Sequence, residues 1–213
     1  MKKTVALILA FVCVVLPCFS LTGCASAPAL EEIYDRVVDL LESAYEVNTI
    51  FYGPGLPVYK TDSEYAELHH TYYDFQHKGT YEYVTEYAKF TSEDDIMEAA
   101  KKVYSESFLN DVLAMAAFTG YASDDGAGSA QYFHARYMED EKWMYQSTAD
   151  RVLYTAMRVY DYSTMRVFSL GRSEACKVVL NSWLEDSPET VEEVEISLLL
   201  QNGQWYLDSF SGG

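Results

Sequence analysis

Basic residues are scarce in this chain: 15 Lys and Arg stand against 33 Asp and Glu in 213 residues, giving a formal net charge of −18. Such a balance repels phosphate backbones, and no Arg-rich helix or basic stripe interrupts it, so no nucleic-acid partner is expected. Proline is scarce too, with 5 residues, while apolar residues make up 49% and aromatics 15%. That composition excludes disordered and collagen-like classes and supplies a core of ordinary size. A phosphate-binding loop, a nucleophile elbow and a zinc-binding helix signature are all missing, and no cofactor is expected. The length fits one domain with trimmings.

Residues 1–23 read as a leader outside the fold. Lys2 and Lys3 supply a positive start, and Val5 to Phe19 form an apolar run broken by Pro17, as in the first two regions of an export signal. The run is too short for a comfortable membrane span. It ends in Leu21-Thr22-Gly23-Cys24, which resembles the lipobox of bacterial lipoproteins: an aliphatic residue, two small ones, then the cysteine. The resemblance implies that the Cys24 thiol carries a diacylglyceryl group and becomes the new N-terminus after cleavage. Two acyl chains on one cysteine provide the apolar area that stable anchoring needs. The implied location is the extracytoplasmic face of the cell membrane, with the lipid anchor as the membrane contact. The alternatives are a signal cut at Ala25-Ser26-Ala27 and a short anchor that is never cut.

Loss of Lys2 and Lys3 with the leader leaves 13 basic against 33 acidic residues, a net charge of −20. Cys13 and Cys18 leave as well, Cys24 takes the lipid, and Cys176 stands by itself. No disulfide is therefore expected inside the domain, although the compartment would permit one. Cys176 lies in the apolar run Ala175 to Leu180 and reads as a small buried hydrophobe, with a catalytic thiol as the lesser alternative. Residues 24–28 form a tether and residues 29–213 a single α+β domain.

Within that domain, Leu30, Ile33, Val37, Leu40, Leu41 and Ala44 recur at three and four, which predicts an amphipathic helix from Ala29 to Ile50. The segment Tyr52 to Pro57, with two prolines and two glycines, stops it. Between Tyr59 and Phe90 seven tyrosines mix with acidic residues and histidines, and the periodicity is poor. Thr91 to Asp95 offers a hydroxyl cap and an acidic first turn to a second helix or pair of helices reaching Ala116. Ser123 to Ser129 reads as a loop. Beyond it the chain reads as strands: Gln131 to Met138, Arg151 to Leu170, and Ser173 to Leu184. The clearest element is last. Val194, Ile196, Leu198 and Leu200 alternate with polar residues, and Asn202-Gly203 suits a two-residue turn with positive φ at both positions. That register sets Leu200 against Trp205 and Leu198 against Leu207 on one face, and Leu199 against Tyr206 on the other.

Helices followed by antiparallel strands give an α+β class with helices on one face of a curved sheet. The closing segment Val191 to Phe210, a strand, an Asn-Gly turn and a Trp-x-apolar-Asp strand, resembles the end of NTF2-like (cystatin-like) domains. The resemblance covers about twenty residues and implies a cone-shaped sheet whose open end holds a small ligand; such folds serve as isomerases, dehydratases, binders and assembly modules. Several residue sets compete for a site. His69, His70 and His77 are imidazoles with metal-binding chemistry, against a plainer reading as surface histidines. Asp124-Asp125-Gly126 lacks the alternating acids of a calcium loop and reads as a solvated turn. His134, Tyr137, Asp150, Tyr154, Tyr160 and Asp161 supply the groups an isomerase-like pocket needs, although 19 tyrosines and 33 acids make such sets arise by chance. The tyrosines from Tyr59 to Tyr87 form either a binding patch for a protein, peptide or glycan or the sheet's flank. The leading expectation is a non-enzymatic binder of a small ligand or envelope protein. An isomerase or dehydratase, and an inhibitor or regulator of a cell-wall enzyme, stand behind it.

Overall fold

The computed structural model describes residues 26–59, 71–74, 79–124, 130–133, 135–148 and 156–211. Helix α1, Leu30–Phe51, buries Ile33, Val37, Leu40, Leu41, Ala44, Val47, Ile50 and Phe51, the apolar stripe expected from the spacing. Its first turn is tied by the Glu32 carboxylate, which accepts the Ala29 N–H at 3.2 Å. Its C-terminus unwinds at Tyr52 and Gly53, where a Cβ on Gly53 would stand 2.9 Å from the Thr49 Cα.

The predicted second helical block is a pair. Helix α2, Glu93–Lys101, starts at Ser92, whose hydroxyl accepts the Asp95 N–H at 3.1 Å. The chain breaks helix at Lys102, and a short helix α3, Glu106–Phe108, continues as a π-helical coil from Leu109 to Thr119 that ends at Gly120 with φ +72°. Residues β1 Thr71–Asp74, β2 Gly79–Tyr83, β5 Tyr137–Glu139 and β6 Met144–Ser147 form one antiparallel sheet in the order β1-β2-β6-β5. Strands β3 Tyr121–Asp124 and β4 Ala130–Phe133 pair antiparallel, so Ser123 and Asp124 of the expected loop belong to a strand, and its remaining residues lie outside the described ones.

The second four-stranded sheet is a meander, β7 Arg158–Arg172, β8 Ala175–Leu184, β9 Ser187–Gln201 and β10 Gln204–Leu207, each antiparallel to the next. The register at its end is the expected one: Trp205 opposite Leu200, Tyr206 opposite Leu199 and Leu207 opposite Leu198. Asn202 and Gly203 have φ of 52° and 80°. The inner face carries Cys176, Val178, Leu180, Ile196, Leu198 and Leu207, which join the α1 stripe in one hydrophobic core. Full burial of such a side chain contributes about 1.5–3 kcal/mol, so this interface dominates stability. The outer face is charged, with Lys177 on Glu195 at 2.7 Å and Arg166 on Glu193; exposed pairs of this kind contribute little.

One cation locks the layers. Arg36 of α1 donates from Nε to the Trp205 carbonyl at 3.0 Å and from Nη2 to the Lys102 carbonyl at 3.1 Å. Beside it, Ser105 N–H donates to the Leu207 carbonyl and Leu207 N–H to the Val103 carbonyl, so the link between α2 and α3 pairs with β10 in parallel. The architecture is thus α+β with two antiparallel sheets and a two-stranded pair among the described residues, where the sequence led to one curved sheet; the Tyr-rich segment and Tyr137–Ser147 build the additional sheet.

Candidate functional site

The junction of α1 with the meander is where an internal pocket was expected, and it holds side chains. Asn48, 2% exposed, receives the Tyr104 hydroxyl on Oδ1 and donates from Nδ2 to Ser211 Oγ at 3.4 Å. Tyr160 donates its hydroxyl to the Ser211 carbonyl. Burying these groups without partners would cost about 1–3 kcal/mol each, and the mutual bonds offset that cost. Tyr162 lies on the same layer, where burial and then the charge of Glu42 push its hydroxyl up to about 12.

Tyr137 is fully buried, and its hydroxyl donates to the Ile50 carbonyl at 2.8 Å. Burial holds its pKa above the ordinary phenol value, with neighbouring Arg136 opposing. Asp161 follows Tyr160 on a strand, so the two project to opposite faces; the Asp161 carboxylate accepts the Ser163 N–H and hydroxyl at 3.1 and 2.6 Å, stitching a bulge in β7. The structure therefore does not bring Tyr137, Tyr160 and Asp161 together. His69, His70, His77, His134, Asp150, Tyr154, Asp125, Gly126 and Cys24 lie outside the described residues. Asp124 stands in β3 opposite Ala130. Among the described residues no group of three His, Cys, Asp or Glu is placed to hold a metal. Cys176 is buried, and desolvation raises its thiol to about 11, as suits a hydrophobe.

Arg136 is a buried cation, 5% exposed. It donates from Nη2 to the Gly53 carbonyl at 2.5 Å, next to the Ile50 carbonyl held by Tyr137. These are carbonyls at the C-terminal end of α1, the negative pole of the helix, so the charge is answered by the backbone dipole. Gly55, at φ +83°, leaves room for that contact, since a Cβ there would collide with Gln146 and Arg136.

Among the described residues, the surface concavities include two of note. The larger, about 670 Å³, lies between α2, α3 and the β9–β10 turn and includes Met97, Lys101, Glu106, Asn110, Asn202 and Tyr206. The smaller, about 280 Å³, lies beside the β5–β6 turn, where Thr85, Glu86, Thr91, Lys142 and Trp143 meet over Val84 and Met144. Trp143 on its wall belongs to an aromatic shelf: its indole lies parallel to the Tyr83 ring, centroids 5.6 Å apart and planes 6° apart, and Tyr145 meets Tyr83 edge-on at 4.8 Å. Trp143 remains 41% exposed.

Asp140 fixes this shelf. Its Oδ1 accepts the N–H groups of Lys142 and Trp143 at 2.8 and 2.9 Å, its Oδ2 accepts the Tyr145 hydroxyl, and its own N–H donates to the Trp143 carbonyl at 3.0 Å. The Tyr145 hydroxyl first, then the two N–H donors, hold the Asp140 carboxyl below its ordinary pKa; burial and then the Asp140 bond hold Tyr145 above the phenol range. Nearby, Glu93 is raised by burial and by Glu139 and Asp94. No known protein family's profile matches this chain, and no curated protein is significantly similar to it. The site is read from its own geometry.

Sequence reasoning located part of this shelf and missed the rest. Of the expected tyrosine patch, Tyr59 and Tyr81 are core, the latter donating to the Ala135 carbonyl at 2.8 Å, which corrects the patch reading for both. Tyr87, by contrast, is 71% exposed. Trp143 and Tyr145 come from the β5–β6 turn and from β6, and their available signal was Asp140 two residues before Lys142, the pattern of a side-chain-capped turn.

Proposed function

We propose that this protein is a lipoprotein, anchored through Cys24 to the extracytoplasmic face of the membrane, whose NTF2-like α+β domain binds a ligand on its surface without chemical conversion. One observation carries the binding reading. Of the tyrosines expected as acids or oxyanion donors, the two among the described residues, Tyr137 and Tyr160, spend their hydroxyls on main-chain carbonyls, while two open concavities lie on the outside. The meander with α1 across its inner face supports the NTF2-like assignment, and the basic start, apolar run and lipobox of residues 1–24 support the anchor. Glu193 and Glu195 of the outer sheet face are answered by Arg166 and Lys177, which favours a concave ligand site over an acidic docking face.

Replacing Cys24 with Ala is expected to move the protein out of the membrane fraction and leave an uncut precursor. Unchanged fractionation and processing would overturn the anchor. The binding reading predicts that some envelope saccharide or peptide, added at millimolar concentration to the full chain in detergent, raises its thermal midpoint. No shift across such a panel would overturn it.

A further inference from the structure

We propose that the cleft beside Trp143 is a carbohydrate-binding site for neutral pyranose chains, an inference that rests on the surface-binding reading and names its ligand class. A pyranose has two kinds of surface. Its C–H face is apolar and flat, and its rim carries hydroxyls in pairs, so recognition needs an aromatic plate with donors and acceptors at the plate's edge. The cleft supplies both. Trp143 is backed on one side by Tyr83 at a 6° plane angle and keeps 41% of its surface exposed, while Thr85, Glu86, Thr91 and Lys142 surround the space.

Those four polar side chains are available. None of them makes a side-chain hydrogen bond or ion pair among the described residues. Thr85 and Thr91 both donate and accept, Glu86 accepts from paired hydroxyls, and Lys142 donates. The volume of about 280 Å³ sits at the low end of small-ligand sites and suits one or two sugar units with the chain continuing into solvent. Charge selects the class. Lys142 is offset by Glu86 and by the Asp140 carboxylate, and the full chain carries a net −18, which disfavours phosphate-bearing and other polyanionic polymers. Preorganisation points the same way: the Asp140 turn clamps the backbone on both sides of Trp143, so the plate is set before a ligand arrives and little ordering remains to be done on binding.

The test uses the purified full chain in detergent, titrated with a β1,4-linked N-acetylglucosamine tetramer and a β1,4-linked glucose tetramer. Saturable calorimetric binding is expected with at least one of them, at a dissociation constant on the order of 0.01–1 mM, with a change in tryptophan fluorescence. Trp143→Ala is expected to weaken it about tenfold or more while leaving circular dichroism unchanged, and Trp143→Phe, which keeps a ring, to recover much of the loss. Absence of saturable binding by either tetramer at about 10 mM overturns the proposal. So does binding that survives Trp143→Ala but is lost in Tyr206→Ala, which would move the sugar to the larger groove. A peptide from the thermal-shift panel that binds when both saccharides fail would reject the sugar assignment and keep the surface-binding reading.

Discussion

The two four-stranded sheets are built from different materials. The meander uses long strands, 15, 10 and 15 residues in β7, β8 and β9, and buries aliphatic side chains against α1 in a continuous inner face. The β1-β2-β6-β5 sheet uses strands of 3 to 5 residues rich in tyrosine, and it relies on hydroxyls fastened to carbonyls and carboxylates: Tyr81 to Ala135, Tyr137 to Ile50, Tyr145 to Asp140. Apolar burial is undirected and strong in aggregate, whereas hydrogen bonds are directional and individually modest. The first sheet therefore supplies stability, and the second supplies placement, holding aromatic rings at a chosen angle on the surface.

Leu198→Ala should break the comparison most forcefully. Leu198 is 1% exposed in the shared core, and its truncation is expected to cost about 2–5 kcal/mol in denaturant unfolding; a loss below 1 kcal/mol would mean that the meander is not the stability centre. Tyr104→Phe removes the donor to buried Asn48 and should cost about 1–3 kcal/mol, with little change in ring packing. Gly203→Ala isolates backbone strain. A Cβ there would meet nothing within 4 Å, so only the φ of +80° opposes it, and the expected loss is about 1–2 kcal/mol. Thermal melts of Leu198→Ala and Gly203→Ala side by side would separate packing from turn geometry.

Asp140→Asn sharpens the other side of the comparison and should have the smallest effect on global stability. The folded-state pKa of Asp140 is depressed. Its contribution is therefore fully present above the ordinary carboxyl value, near pH 4, and is lost as pH falls through the depressed value. The wild type should show a Trp143 fluorescence transition in that acidic window, and Asp140→Asn should lack it. Identical acid titrations of the two proteins would show that Asp140 does not hold the shelf.

The same contrast explains what could be read from residue order. In β9 and β10 the alternation of Val194, Ile196, Leu198 and Leu200 and the Asn202-Gly203 turn each dictate one register, because a slip by one residue would turn every apolar side chain outward. The α1 stripe was legible for the same reason. Tyrosine gives no such instruction: Tyr81 is fully buried and Tyr87 is 71% exposed, and a ring with a polar tip is content in either place. The shelf sets Tyr83 of β2 opposite Tyr145 of β6 and stacks Trp143, from the turn before β6, on the same ring, a grouping set by tertiary contact. Asp161 beside Tyr160 is the opposite lesson, since strand alternation already separates neighbours and could have dismissed that pair.

Strand β10 is flanked on both sides, by β9 and by the Val103–Ser105 link, and Arg36 fastens it to α1. Three parts of the fold thus converge on this one short strand. Asn48 finds Ser211 across 163 positions of chain, so the contact carries a loop-closure cost that local contacts escape. Closure of this core is therefore expected to be governed by long-range contacts around β10 rather than by local helix formation.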